Sequence, residues 1–134
     1  MLDLRAIDHI GIATQSMTDG LALYEGTFGL ALVAREVLED QGVEVALLAC
    51  GDQHVELLAP TRADSPVGKF LVERGPGIHH VASRVPDLPA ALAECRAAGL
   101  ELVDLAPRRG AGGRLVAFLH PRSTGRALVE LVES

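Results

Sequence analysis

The sequence is poor in aromatic residues, with three Phe, one Tyr and no Trp among its 134 residues. Proteins that bind single-stranded nucleic acid or large planar molecules rely on stacked rings, so this scarcity argues against both functions. The formal net charge of −6 also argues against a nucleic-acid surface, which needs clustered Lys and Arg. No hydrophobic run approaches the length of a membrane span, and the first residues resemble no secretion signal. We therefore expect no nucleic-acid partner and no membrane partner.

Cysteine is scarcer than the aromatic residues. Cys50 and Cys95 are the only two, and their separation fits neither a disulfide framework nor a metal-binding spacing. The sequence therefore predicts reduced, buried side chains at both positions. Hydrophobic residues make up 49% of the chain and charged residues 22%, which is typical of one globular domain over residues 1–134. We expect that domain to be cytoplasmic.

What the sequence does contain is an internal repeat. The segments "AIDHIGIA" and "GIHHVASRV" are short apolar runs with a central histidine, and they align His9 with His80. A helix-like segment follows each run, and three strand-like segments follow each helix. The last strand-like segments, "QHVELLAP" and "ALVELVES", align Glu56 with Glu130.

The repeat predicts an α+β fold built from two tandem βαβββ modules. The modules cover about residues 5–60 and 77–134, and the connector, 61–76, contains a short predicted helix. One module alone would leave a face of its sheet uncovered. We therefore expect a single domain in which eight strands form a curved mixed sheet, a cup, with the helices on the outside.

Strand alternation selects which histidines face the open side of that sheet. His79 and His80 are adjacent, so their side chains point to opposite faces. In the first strand, Ile10 and Ile12 share a face and should pack under the helix, which leaves His9 on the open face. The residue that matches His9 in the repeat is His80.

The two aligned glutamates, Glu56 and Glu130, are single carboxylates within apolar runs. A buried Glu is costly unless it is paired or bound to a metal. A lone His or Glu is more often a hydrogen-bonded core or rim residue, but four such residues related by a repeat favour a site for one divalent first-row metal. We interpret the remaining histidines as neighbours of this site or as rim residues: His54, His79 and His120.

The segment "RRGAGG" resembles a phosphate-binding loop only superficially. It lacks the Gly-Lys-Ser/Thr ending and the strand-loop-helix setting, so it predicts a hairpin turn. Arg108, Arg109 and Arg114 could meet an anionic substrate at a rim, but a solvated loop is the stronger interpretation.

These motifs together resemble the vicinal oxygen chelate superfamily, from about residue 6 to the C-terminus. Within it the chain is most similar to the methylmalonyl-CoA epimerases, through "DSPVGKFL", "GPGIHHVAS" and "FLHPRSTGRALVEL". The resemblance implies a homodimer that interconverts (R)- and (S)-methylmalonyl-CoA, a small CoA thioester. It also implies one divalent ion per site (cobalt, manganese, nickel or zinc), bound by His9, Glu56, His80 and Glu130.

Such a site suits abstraction of an acidic α-proton. A divalent cation that chelates the thioester oxygen and the carboxylate stabilises the enolate, and a carboxylate beside it, Glu130, acts as the base. Some family members carry a second glutamate where this chain has Val45. Glu44 lies one residue earlier, which turns its side chain to the other face of the strand. It is either a partner restored by a bulge or a solvated bystander, and we favour the bystander.

Two other functions remain open on the same scaffold. A glyoxalase I-type enzyme would isomerise a glutathione hemithioacetal and would not turn over methylmalonyl-CoA. A non-catalytic drug or metabolite binder would need aromatic walls, which this chain lacks. An extradiol oxygenase is disfavoured, because its iron uses two His and one carboxylate, and Glu56 would be a fourth ligand. Fold alone does not separate these functions.

Overall fold

The computed structural model describes residues 1–134, and it confirms the α+β fold. The strands are β1 (Ala6–Ala13), β2 (Ala31–Leu38), β3 (Val43–Cys50), β4 (Gln53–Pro60), β5 (Gly77–Val85), β6 (Arg108–Arg109), β7 (Leu115–Leu119) and β8 (Val129–Glu133). The helices are α1 (Met17–Leu21, continued by a π-helical segment, Ala22–Thr27), α2 (Pro66–Arg74) and α3 (Leu88–Ala97). The order is βαβββ twice, with α2 in the predicted connector. None of the helices combines the length and the apolar character that crossing a membrane would require.

The eight strands belong to one mixed sheet, and the chain divides into two compact units. The first unit is His9–His79, and the second joins Met1–Asp8 to His80–Ser134. The strand order is β2-β3-β4-β1 in the first module and β5-β8-β7-β6 in the second. In each module the first strand pairs in parallel with the last, and the other pairs are antiparallel. The two modules therefore share one topology, as the repeat predicts.

In the first unit, one face of the sheet packs against α1. Ser16 caps this helix by accepting a hydrogen bond from the Asp19 amide at 3.1 Å. Leu48 and Leu57 are fully buried under it, and Ile12 packs against the same cluster. Burial of each leucine stabilises the fold by about 2 kcal/mol, so this face is fixed as the helix-covered one.

In the second unit, α3 covers the corresponding face. Asp87 caps the helix by accepting from the Ala90 amide at 3.0 Å, and the Glu133 carboxylate accepts from the Leu88 amide at 2.9 Å. The buried cluster joins the helix to strands β7 and β8: Leu88, Ala91, Leu92, Cys95, Ala117, Leu119 and Leu131. Leu2, from the start of the chain, packs against it.

The second module departs from its partner in one strand. After α3 the sequence is strand-like, yet only Leu102 forms an isolated bridge, to Leu119, and β6 has two residues. The Asp104 side chain takes the place of a backbone partner, because its Oδ2 accepts from the Phe118 amide at 2.8 Å. Pro107 has no N–H to donate to a ladder. The corresponding strand of the first module, β2, has eight residues and pairs with β3. Most of those hydrogen bonds have no counterpart in the second module.

The two cysteines are both free thiols, as the sequence predicts. Cys95 is buried in the α3 cluster. The expectation of burial is wrong for Cys50, which is exposed at the end of β3, where the strand turns into the loop at Gly51.

Candidate active site

The first unit holds one histidine–glutamate pair on the face that α1 does not cover. In the β3–β4 register Glu56 lies opposite Leu47, whereas the helix-covered Leu57 lies opposite Ala46. His9 Nε2 is 3.6 Å from Glu56 Oε1, and the two residues are 3% and 6% exposed. An imidazole and a carboxylate are therefore held together on the open face, away from bulk water.

The second unit holds the equivalent pair. Glu130 lies opposite Ala82 in the β5–β8 register, and His80 is two residues before Ala82 on the same face of β5. His80 Nε2 is 3.7 Å from Glu130 Oε1, and the two residues are 4% and 7% exposed. The face is opposite to α3, because Leu131, next to Glu130, belongs to the helix-covered cluster.

The two pairs match in residue type, burial and separation. A distance of 3.6 or 3.7 Å is too long for a hydrogen bond between these atoms. It is close to the roughly 3–3.4 Å between two ligands of one ion whose bonds are about 2.1 Å long. A neutral imidazole and a carboxylate are also the donors that divalent first-row metals prefer. Each pair therefore fits half of a metal site.

Glu44 lies on the opposite face of the sheet from Glu56. Its partner across the β3–β4 pair is Ala59, which belongs to the helix-covered cluster, and no bulge interrupts that register. The carboxylate instead forms an ion pair with Arg35, Nε to Oε2 at 2.8 Å. Val45 shares the face of Glu56 and is 3% exposed. Its side chain has no titratable group, so it cannot act as an acid or a base.

The other three histidines have three different settings. His54 shares the face of Glu56 and lies opposite Ala49. The His79 ring packs edge-on against Phe70 of α2, with 4.9 Å between centroids, and desolvation lowers its pKa to about 4. This imidazole is therefore neutral at pH 7. His120 accepts a hydrogen bond from the Arg122 amide through Nδ1, at 3.1 Å, and so caps a short turn.

A buried ion cluster that sequence reasoning missed lies within the second unit. Asp8 is 1% exposed, and its carboxylate binds two guanidinium groups. Arg84 Nε is 2.9 Å from Oδ1, and Arg114 binds both oxygens, at 2.9 and 2.6 Å. The signal was available, because Asp8 is a charged residue within an apolar strand, like Glu56.

Replacing Asp8 with Ala should lower the free energy of unfolding by about 3 kcal/mol, because it leaves two guanidinium groups without their shared carboxylate. The measurement is urea unfolding followed by circular dichroism. Asp3→Ala is the matched control, because Asp3 pairs with Arg5 at the surface, where both side chains are mostly exposed. The control should unfold at the wild-type midpoint. Equal midpoints for all three proteins would show that the cluster contributes nothing to stability.

The three arginines of the predicted rim differ in what they contact. Arg109 is exposed and donates to the Gly113 carbonyl at 2.7 Å, and Arg114 belongs to the Asp8 cluster. Arg108 stacks on Phe118, with Cζ 5.5 Å from the ring centroid. Of these three arginines, only Arg109 has the solvated-loop setting that the sequence favours for all of them.

Comparison with known proteins identifies the family of the chain. Residues 8–118 match the family model of the glyoxalase/bleomycin resistance protein/dioxygenase superfamily. A solved structure of a Streptomyces coelicolor methylmalonyl-CoA epimerase variant, in complex with 2-nitronate-propionyl-CoA, is 40% identical to the chain. It superposes with a TM-score of 0.95 over 98% of this chain and 96% of that one. The chain belongs to the methylmalonyl-CoA epimerase family.

Two further relatives lie within the same range of similarity. An ethylmalonyl-CoA/methylmalonyl-CoA epimerase of Cereibacter sphaeroides is 35% identical over 93% of this chain and 95% of its own length. An uncharacterised Bacillus subtilis protein is 42% identical over 97% of this chain and 93% of its own. The predicted family is thus confirmed, and the chain is an enzyme of the epimerase family rather than a binding protein on the same scaffold.

Proposed function

We propose that the chain is a metal-dependent epimerase that interconverts (R)- and (S)-methylmalonyl-CoA. The observation that carries the proposal is the buried histidine–glutamate pair that recurs in each unit with nearly the same separation. The names of the relatives support the substrate, because one is a methylmalonyl-CoA epimerase and another acts on ethylmalonyl-CoA and methylmalonyl-CoA.

We propose that both pairs bind one shared divalent ion, cobalt, manganese, nickel or zinc. The ligands would be His9, Glu56, His80 and Glu130. Four donors related by the repeat fit a single ion better than two separate pairs do, because two buried carboxylates together neutralise its two charges. When bound, the ion would supply a Lewis acid that stabilises negative charge on substrate oxygens.

Glu130 is the base in this proposal. Its carboxylate removes the proton from the carbon between the thioester and the carboxylate of the substrate, and holds that proton at an oxygen. Its position in a strand that packs tightly on α3 fixes its orientation and excludes bulk water from the proton. Glu44 is turned to the helix-covered face, so we assign proton delivery on the opposite face of the carbon to water or to another side chain.

The test is deuterium incorporation from D2O at the α-carbon of methylmalonyl-CoA, followed by mass spectrometry with and without a chelator. We expect exchange that the chelator stops and that added divalent metal restores. Absence of metal-dependent exchange would remove the epimerase proposal. The hemithioacetal of glutathione is assayed in parallel, because its turnover without exchange on methylmalonyl-CoA would instead support the glyoxalase I-type alternative.

A homodimer in the cytoplasm remains part of the proposal. It follows from the family resemblance, and size-exclusion chromatography with light scattering distinguishes a dimer of the 14.1 kDa chain from a monomer.

A further inference from the structure

Arg108, Phe118 and His80 form a continuous row of contacts within the second unit. The Arg108 Cζ is 5.5 Å from the Phe118 ring centroid, and that ring meets the His80 ring edge-on at 5.3 Å. Cross-strand register places them on the same face, because Arg108 lies opposite Val116, and Phe118 lies opposite Glu130. A guanidinium group is therefore present on the face that carries the proposed base.

Arg108 forms an ion pair with Asp104, in which its Nε makes no hydrogen bond. Its Nε lies 3.2 Å from Asp104 Oδ1, while the other oxygen of that carboxylate accepts from the Phe118 amide. The Arg108 side chain is 35% exposed, so it is neither buried in the core nor free in solvent. Because the ion pair uses Nε, the two terminal nitrogens remain available as a planar fork, which suits the two oxygens of a carboxylate.

The neighbouring arginines have other roles. Both Arg84 and Arg114 bind Asp8, and Arg109 binds a carbonyl of its own turn. Arg108 alone among these four stacks on a side chain that contacts a proposed metal ligand.

We infer that Arg108 binds the free carboxylate of the malonyl group of the substrate. The inference rests on the proposed function, and it adds a residue that selects malonyl thioesters over simple acyl thioesters. The charge balance favours it, because Glu56 and Glu130 neutralise a divalent ion, so the substrate carboxylate adds one uncompensated negative charge even when the ion chelates one of its oxygens. The CoA phosphates are also anions that an arginine could bind, but the long pantetheine arm separates them from the acyl group. Arg108 contacts Phe118, which contacts the proposed metal ligand His80, so Arg108 lies on the acyl side.

The experiment compares binding of methylmalonyl-CoA and propionyl-CoA, which lacks the carboxylate, by isothermal titration calorimetry with metal-loaded protein. We expect Arg108→Gln to weaken methylmalonyl-CoA binding by about 10- to 100-fold, the loss of a charge-assisted hydrogen bond, and to leave propionyl-CoA within about twofold. Arg109→Gln is the matched control and should bind both ligands as the wild type does. Arg108→Lys keeps the charge without the planar fork, so its affinity for methylmalonyl-CoA should lie between those of the wild type and Arg108→Gln. If Arg108→Gln is unfolded in a thermal scan, Arg108→Lys replaces it.

Each outcome decides the inference. An equal loss for both ligands would place Arg108 at the CoA phosphates, or would show a structural role with a lowered Tm, and either result overturns it. Unchanged affinities overturn it as well. Failure of the proposed function is separately visible, because the wild-type protein would then bind neither thioester selectively and would show no deuterium exchange.

Discussion

Replacing Glu130 with Gln is expected to reduce deuterium exchange into methylmalonyl-CoA by at least about a thousandfold. Glutamine preserves the shape of the side chain in its buried position, but an amide does not accept the α-proton, and a positioned base contributes about 10²–10⁴ in rate. The loss of one negative charge next to a divalent ion adds to the effect. The measurement is the initial rate of exchange in D2O, with metal content determined on the same sample.

Glu133→Gln is the matched control for this prediction. Glu133 lies on the same strand, three residues on, and its carboxylate accepts from the Leu88 amide at the start of α3. It therefore contributes to helix stability and should keep the exchange rate within about twofold of the wild type. Exchange by the Glu130 variant at more than a tenth of the wild-type rate, with metal bound, would contradict the assignment of the base.

Removing the divalent ion should lower the Tm by about 10 °C. A ligand present at 100 times its Kd stabilises the folded state by about 2.7 kcal/mol, which corresponds to a shift of that size for a domain of this length. The measurement is a thermal scan of protein dialysed against a chelator, followed by a scan after cobalt or manganese is returned. Return of the metal should restore the original Tm.

His9→Ala tests whether the shift comes from the proposed ligands. Its Tm should respond to chelator and to added metal much less than that of the wild type, because one of the four donors is lost and the first unit keeps only Glu56. His120→Ala is the control, since His120 caps a turn through a backbone amide and should leave the metal response intact. A wild-type Tm that does not change with metal would argue against a bound ion.

Strand alternation predicted much of the candidate site from the sequence. A residue's face on a strand is set by whether its position is odd or even. The leucines that pack against a helix show which face is covered, and the other face is the open one. That argument distinguishes His80 from His79, and it places Glu44 opposite to Glu56. The structure agrees on each of these placements, because the register of β3, β4, β5 and β8 is regular there.

Features that depend on contacts between distant residues escaped the sequence. The apolar strand marks Asp8 as a charge that needs a partner, but nothing nearby in the chain indicates Arg84 or Arg114. The short β6 is another example, since "LELVDLAP" reads as a strand until Asp104 bonds the Phe118 amide. The sequence favours a solvated loop over a substrate-binding rim for Arg108, because the contact with Phe118 depends on which strands are neighbours.

The first eight residues have a consequence for any attempt to divide this protein into halves. They pack with the C-terminal segment, through Leu2 in the α3 cluster and through Asp8 between two arginines. A polypeptide that began at His80 would contain both guanidinium groups but not the acid between them. The duplication visible in the sequence therefore does not yield separable pieces, and a half made alone should fold only when the N-terminal strand is supplied as a peptide.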